Sequence, residues 1–323
     1  MPRQCANFAA MLHSKTLYCA PLQGYTDAAW RNAHHRIFGG VDCYLGPFMR
    51  IDRGQVRRRD VADAVPEANS APFVPQIIAC APAEAVRLAT LLRDQGHTRI
   101  DVNLGCPFPP VALRHKGAGM LKYPAEVEAL AAALGGVDGV QYSVKMRLGW
   151  DDAGQWRQVL PAIASLSPVE VAVHPRTGRQ QYKGELLADE FSLLYDACQL
   201  PLVLNGGIKS VADAEAALSR WPRLSGLMVG RGLVEDPAML CPEKATMENY
   251  RALHDELMAA YAQRLDGGDA QLLARMKALW ELMLPNADRK ARKLIHKATT
   301  LDKYRQAVSQ VWASMAGYAQ NLR

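Results

Sequence analysis

RIDVNLGCP, residues 99–107, is a short β-rich run that breaks at Gly105-Cys106-Pro107. Arg99–Asn103 reads as a strand and the residues after it as a loop, because glycine and proline punctuate extended backbone. The same texture recurs on both sides. Thr16–Ala20, Val41–Leu45 and Phe73–Ile78 precede it, and Gln141–Arg147, Glu170–His174, Pro201–Asn205 and Ser225–Gly230 come after it. Several are near-continuous apolar runs, as expected of strands buried on both faces. Helical patterns lie between them. Pro82–Gln95 carries Ala85, Leu88, Ala89 and Leu92 on one face, and Val211–Ser219 opens after Ser210, a good N-cap residue. Eight strand–helix alternations match an α/β fold of the TIM (β/α)8 barrel type. A doubly wound open sheet is the alternative, and the strand count favours closure.

After Pro242 no further β-rich run appears. Residues 246–265, 270–284, 286–298 and 302–319 read as amphipathic helices, punctuated by Gly267-Gly268 and Leu284-Pro285-Asn286. Short connections favour antiparallel neighbours, so the reading is an all-α helical-bundle domain. The expected organisation is an extension over residues 1–15, a barrel over 16–242 and a helical domain over 243–323.

The 323 residues are 49% hydrophobic and 22% charged, an ordinary globular composition that argues against disorder. Net charge is +6, and residues 243–323 carry 13 Lys/Arg against 9 Asp/Glu, so most of the excess sits in the last quarter. That balance permits a polyanionic partner. Seven cysteines, at 5, 19, 43, 80, 106, 198 and 241, include no C-x-x-C pair, so neither a metal cluster nor a disulfide framework is suggested. The expectation is a reducing, cytoplasmic compartment with no metal. No apolar run reaches the roughly 18–20 residues of a membrane span. No exposed heptad argues for assembly, which leaves a monomer as the expectation.

A barrel keeps its chemistry where strands end and βα loops begin. The first strand runs into Pro21-Leu22-Gln23-Gly24-Tyr25-Thr26-Asp27, a tight loop with a capping residue. Gln76 interrupts an apolar third strand and needs partners for its amide, either backbone or a bound heteroaromatic ring. Cys106 follows a strand end and a glycine, well placed to face a pocket. An unperturbed thiol, pKa about 8.5, is mostly protonated at neutral pH and suits a proton donor. Lys145 and Arg147, two apart, share a strand face. Two cations inside a barrel require an anion or electron-rich atoms, whether from a ligand or from a carboxylate such as Asp101. His174 and Arg176 end the next strand and add to this basic convergence. Asn205-Gly206-Gly207 and Gly230-Arg231-Gly232 close strands seven and eight, the usual phosphate position of barrels.

Together, APLQGYTDAAWR (20–31), DVNLGCP (101–107), GAGML (117–121), SVKMRLGWDD (143–152), HPRT (174–177), LNGGI (204–208) and MVGRG (228–232) resemble the tRNA-dihydrouridine synthase family, in the family's order. The resemblance implies flavin-dependent reduction of D-loop uridines in tRNA to 5,6-dihydrouridine. Hydride would pass from reduced FMN to C6 and a proton from Cys106 to C5, with NADPH as reductant. It further implies that Pro21, Leu22, Gln23, Gln76, Lys145, His174, Asn205, Gly206, Gly207, Gly230 and Arg231 hold FMN, while Asn103, Arg147 and Arg176 meet the uridine. This sequence departs from the family at three points. Leu22 stands where Met is usual, Leu45-Gly46-Pro47 where a Thr-Glu pair is common, and Phe108-Pro109-Pro110 where small and polar residues follow the Cys-Pro.

Arg289, Lys290, Arg292, Lys293 and Lys297 form a basic cluster on a helical pattern, the type that contacts tRNA phosphates. Arg50, Arg53 and Arg57-Arg58-Arg59 are a second candidate. Two rivals remain at this level. One is an FMN barrel oxidoreductase acting on a small pyrimidine, like dihydroorotate dehydrogenase, which needs no basic helical domain. The other is a non-catalytic RNA-binding protein.

Overall fold

The computed structural model describes residues 14–320. Nearly all of the expected N-terminal extension, Cys5 included, lies outside the described residues. By compactness the chain divides into two units: Met1–Pro21 with Val41–Gly230, and Leu22–Gly40 with Arg231–Arg323.

The first unit holds the strands β1 (Thr16–Cys19), β2 (Cys43–Leu45), β3 in two pieces (Phe73–Val74 and Gln76–Ile77), β4 (Arg99–Leu104), β5 (Gln141–Gly149), β6 (Val171–Thr177), β7 (Leu202–Asn205) and β8 (Gly226–Val229). Every neighbouring pair is parallel, in the cyclic order β3-β2-β1-β8-β7-β6-β5-β4. Pro75 splits β3 because it has no N–H to give the ladder. Its carbonyl still accepts from Asp101 N at 2.9 Å. The piece before Pro75 pairs with β2 (Tyr44 with Phe73) and the piece after it with β4 (Gln76 with Asp101), so the ring closes across one strand. The fold is the (β/α)8 barrel read from the sequence, followed by C-terminal helices.

Side chains alternate across a strand, so i and i+2 share the inner face. Tyr18, Ala20, Leu45, Val74, Ala172, Val203 and Met228 pack together as the apolar part of the interior. On β4 and β5 the register sets Asp101 beside Ser143 and Asn103 beside Lys145, and on β5 and β6 it sets Arg147 beside His174. One wall of the interior is therefore polar. At the start of the strands, Tyr18 Oη donates to Glu170, and Arg99 Nη2 lies 2.6 Å from Glu170 Oε1. This pair meets the requirement that a buried carboxylate be matched.

The loop after β4 is clamped by glycines of the GAGML segment. Gly117 has φ +59°, and a Cβ there would stand 2.9 Å from Cys106 Cβ. A Cβ on Gly119 would stand 2.0 Å from the Ala112 carbonyl oxygen, while Met120 and Leu121 are fully buried beside it. Only a residue without a side chain permits this approach.

In the second unit α1 (Ala28–Ile37) lies with Met247–Arg264, Gly268–Leu279, Arg289–Lys297 and Leu301–Gln320. Asp27 explains why α1 groups with these helices. Its carboxylate caps Trp30 N at 3.2 Å and also accepts from Tyr261 Oη at 3.0 Å, Arg264 Nη2 at 2.5 Å and Arg275 Nη2 at 2.9 Å. Burial pushes the Asp27 carboxyl up, but Arg275 and Arg264 outweigh it and hold it below the usual range. The helix expected over 270–284 ends at Leu279; turns come next, and Leu284 sits at φ +48°. The core of this unit includes Trp280 Nε1 donating to Tyr304 Oη at 2.9 Å, with Tyr304 Oη 2.8 Å from His254 Nε2.

Gly119→Ala is expected to lower stability by about 1–3 kcal/mol through overpacking against backbone. Gly135→Ala, where a Cβ meets nothing within 4 Å, should be neutral or slightly stabilising. Thermal unfolding of the two variants beside the wild-type chain checks this.

Candidate active site

At the carboxyl ends of β3, β4 and β5 the inward side chains satisfy one another. Gln76 Nε2 donates to Asp101 Oδ2 at 2.7 Å, and Ser143 Oγ donates to Asp101 Oδ1 at 2.7 Å. Asn103 Nδ2 donates to Gln76 Oε1 at 2.7 Å, and Asn103 Oδ1 accepts from Gly105 N at 3.0 Å and Cys106 N at 2.8 Å. Two backbone amides beyond the strand are thus held by one carboxamide. That hold aims the Cys106 loop.

The Cys106 thiol packs against Phe48, Ile78 and Val111. Burial pushes its pKa above the ordinary thiol value, while a backbone hydrogen bond from Phe108 and the charges of Arg147, Lys145 and Arg50 pull the other way. The net direction is upward, so the sulfur carries its proton at neutral pH. A protonated thiol can give up a proton, whereas a preformed nucleophile would need the thiolate.

Lys145 is half-buried on β5, and its ammonium has no hydrogen-bond partner among the described residues. Burial, together with Arg147, lowers its pKa to about 8, so it is still mostly charged at pH 7. Arg147 is spent differently. Its Nε donates to Gly105 O at 3.0 Å and its Nη1 to Thr177 O at 2.9 Å and Gln181 O at 2.7 Å, with the Tyr182 ring 5.4 Å away. It ties the loops after β4 and β6 to β5. Arg176 Nη1 donates to His174 Nε2 at 3.0 Å, which leaves the imidazole proton on Nδ1.

Asn205 Nδ2 donates to Met228 O at 2.8 Å. Gly206 and Gly207 follow at φ +115° and +78°. A Cβ on Gly206 would stand 2.8 Å from the His174 ring, and one on Gly207 would stand 2.4 Å from Leu186 Cδ1. Only glycine permits this close packing of the turn against His174 and Leu186. Pro21 follows β1 and Gly230 follows β8 in the same unit. Leu22, Gln23 and Arg231 belong to the second unit, where Leu22 N donates to Thr26 Oγ1 at 2.8 Å.

The dihydrouridine synthase family model matches residues 18–322. The chain belongs to that family. A probable tRNA-dihydrouridine synthase of Rickettsia conorii is 28% identical over 266 residues, covering 78% of this chain and 76% of that protein. The tRNA-dihydrouridine(16) synthase of Haemophilus ducreyi is 28% identical over 228 residues, covering 68% and 70%. The match extends through the C-terminal helices as well as the barrel.

Against this family background, the structure brings Gln76, Asn103, Cys106, Lys145, Arg147 and His174 to one end of one barrel. From sequence, Asp101 reads only as a possible ion-pair partner for the lysine. In the structure it is the acceptor for Gln76 and Ser143. A charged residue two positions before Asn103 in a buried strand is the signal that points to it. In the second unit, Arg289, Lys290, Lys293 and Lys297 are exposed on the helix Arg289–Lys297, whose buried side is Ala291 and Ile295. Arg292 turns back, donating to Pro285 O at 2.9 Å and Trp280 O at 2.6 Å. Among the described residues no group of three or more His, Cys, Asp or Glu could hold a metal ion, and no helix is long and apolar enough to cross a membrane.

Burial raises the Asp101 carboxyl to about 7, despite the bonds from Gln76 and Ser143 and the charge of Lys145. A carboxyl with a folded pKa above its unfolded value of about 3.9 favours the fold when protonated. That contribution is present at low pH and is lost as pH rises toward 7. The melting-temperature advantage of wild type over Asp101→Asn should therefore shrink between pH 5 and 7 and level off above. A difference that grows with pH would refute the assignment.

Proposed function

We propose that this chain reduces uridines in the D-loop of tRNA to 5,6-dihydrouridine, with FMN as cofactor, NADPH as reductant and Cys106 as the acid. The observation that carries the reading is one barrel end holding a protonated thiol, an ammonium without a hydrogen bond among the described residues and a turn that only glycine can make, in a chain of the dihydrouridine synthase family. The residues present fit the cofactor. Within the first unit, Asn205, Gly206, Gly207 and Gly230 would take its phosphate and ribityl chain. Lys145 and Gln76 would face the electron-accepting part of the ring, with His174 beside it and Pro21 along its edge. Reduced by NADPH, FMN supplies a hydride for uracil C6 when bound.

The chain's own residues do the rest. A stacked uracil is out of reach, so the nucleotide must leave the tRNA stack before it meets the thiol. The Cys106 S–H bond breaks as its proton goes to uracil C5, and the thiolate left behind faces the positive charges of Lys145, Arg147 and Arg50 until solvent reprotonates it. Asn103 retains an amide N–H beyond the one given to Gln76, and it can donate to a uracil carbonyl. Arg147 contributes its charge and holds the loops, and Arg176 adds a second cation through His174. The division we propose is a catalytic barrel over 16–242 and a tRNA-recognition domain over 243–323. On the latter, Arg289, Lys290, Lys293 and Lys297 meet phosphates while Arg292 keeps their helix in place. A tRNA substrate and free thiols suit a protein working in the reducing cytoplasm.

Cys106→Ala should keep its flavin absorbance and its reduction by NADPH but form dihydrouridine at least about 100-fold more slowly, the usual scale of a lost general acid. Quantifying dihydrouridine in a tRNA transcript by mass spectrometry decides it, and undiminished product removes the thiol from this role. Changing Lys290, Lys293 and Lys297 together to Glu should raise KM for tRNA and flatten its salt dependence by on the order of one log unit for each phosphate no longer neutralised, with kcat retained. An unchanged salt slope would take the helix off the RNA path.

A further inference from the structure

Among the described residues five large hydrophobic side chains are exposed: Phe108, Leu113, Tyr182, Leu193 and Leu294. Scattered singly, such residues need no explanation. Three of these five, however, lie on loops at the active end of the barrel, and two flank one short helix. Phe108 is 58% exposed and Leu113 is 74% exposed, at the two ends of the turn Pro109–Ala112. The same turn sends Val111 inward against the thiol. Its apolar residues are thus divided, one toward Cys106 and two toward solvent.

The turn is rigid. Phe108 O accepts from Val111 N and Ala112 N, both at 2.9 Å. Pro109 and Pro110 fix two φ angles, and the Gly117 and Gly119 approaches lock the turn against the loop behind it. Phe108 is two residues from Cys106, so the two Cα atoms are within about 7 Å. From Phe108 to Lys116 the chain carries no acid; Arg114 is exposed, while Lys116 is paired with Glu84 at 2.7 Å. An ordered, solvent-facing aromatic ring with an exposed guanidinium on the same loop is the makeup of a base-stacking platform.

We propose that Phe108 is a stacking platform for the nucleobase next to the target uridine, holding the RNA strand open while the uracil sits at Cys106. The inference rests on the tRNA reading above and adds a positioning residue to it. Stacking tolerates any base, so the platform contributes binding without setting sequence. It also gives a reason for an apolar Phe-Pro-Pro in a loop that faces a polyanion.

The test uses the full-length protein, a tRNA transcript and NADPH. Phe108→Ala should raise KM for tRNA about 10-fold, the scale of one base–aromatic stack, with kcat, flavin content and melting temperature retained. Phe108→Trp should restore KM, and Phe108→Leu, apolar but not aromatic, should not. A tRNA made abasic on the stacked side of the target should show the same rise with wild type and little further rise with Phe108→Ala. An unchanged KM in Phe108→Ala, a Leu variant as good as Trp, or additive effects of the abasic site and the Ala variant would each overturn the platform. Wild type that forms no dihydrouridine in any tRNA would overturn the underlying reading, and the platform with it.

Discussion

The carboxamide of Asn103 is the constraint on which the site depends. It sits at the last inward position of β4 and is bonded on both its ends: one N–H goes to Gln76, and the oxygen takes the amides of Gly105 and Cys106. Buried polar groups must be paired, and here the pairing also aims a loop. Gln76 in turn depends on Asp101, and Asp101 on Ser143, so the orientation of the thiol loop is propagated across three strands. Arg147 clamps the same loop from the other side through the Gly105 carbonyl. A thiol held this way, raised in pKa by burial, keeps its proton at neutral pH.

Charge in this interior is arranged unequally. Asp101 is desolvated and satisfied by neutral donors, whereas Lys145 is desolvated and has no hydrogen bond among the described residues. An ammonium in that state costs free energy unless a ligand supplies electron density. The glycine turn after β7 is held at positive φ and packed against His174 and Leu186, where no side chain fits.

Much of this is legible in the residues. Eight β-rich runs with intervening helical patterns announce the barrel, and the observed strands fall at the expected places, because burial on both faces forces a composition that no loop shares. The four C-terminal helices are also visible, apart from the end of the second, where Leu284 takes a left-handed conformation unusual for a branched residue. The clustering of Cys106, Lys145, Arg147 and His174 can be expected once the strands are placed, since parallel strands all present their ends at one side. What each side chain is bonded to cannot be read this way. Arg147 is expected at the substrate and is largely occupied by carbonyls, and Arg292 is expected among exposed cations and is turned inward.

Local pattern and residue type, then, determined the fold class, the helical C-terminal region and the end of the barrel that bears the chemistry. These depend on periodicity and on composition, which a linear chain displays. Tertiary structure alone decided the partners. Only the closed ring, with β3 bridged across Pro75, sets Gln76 beside Asp101, and only the packing of the second unit brings Arg264 and Arg275 to Asp27, more than two hundred residues earlier. Such pairings depend on register and on close approach in space, and neither distance is written in the order of residues.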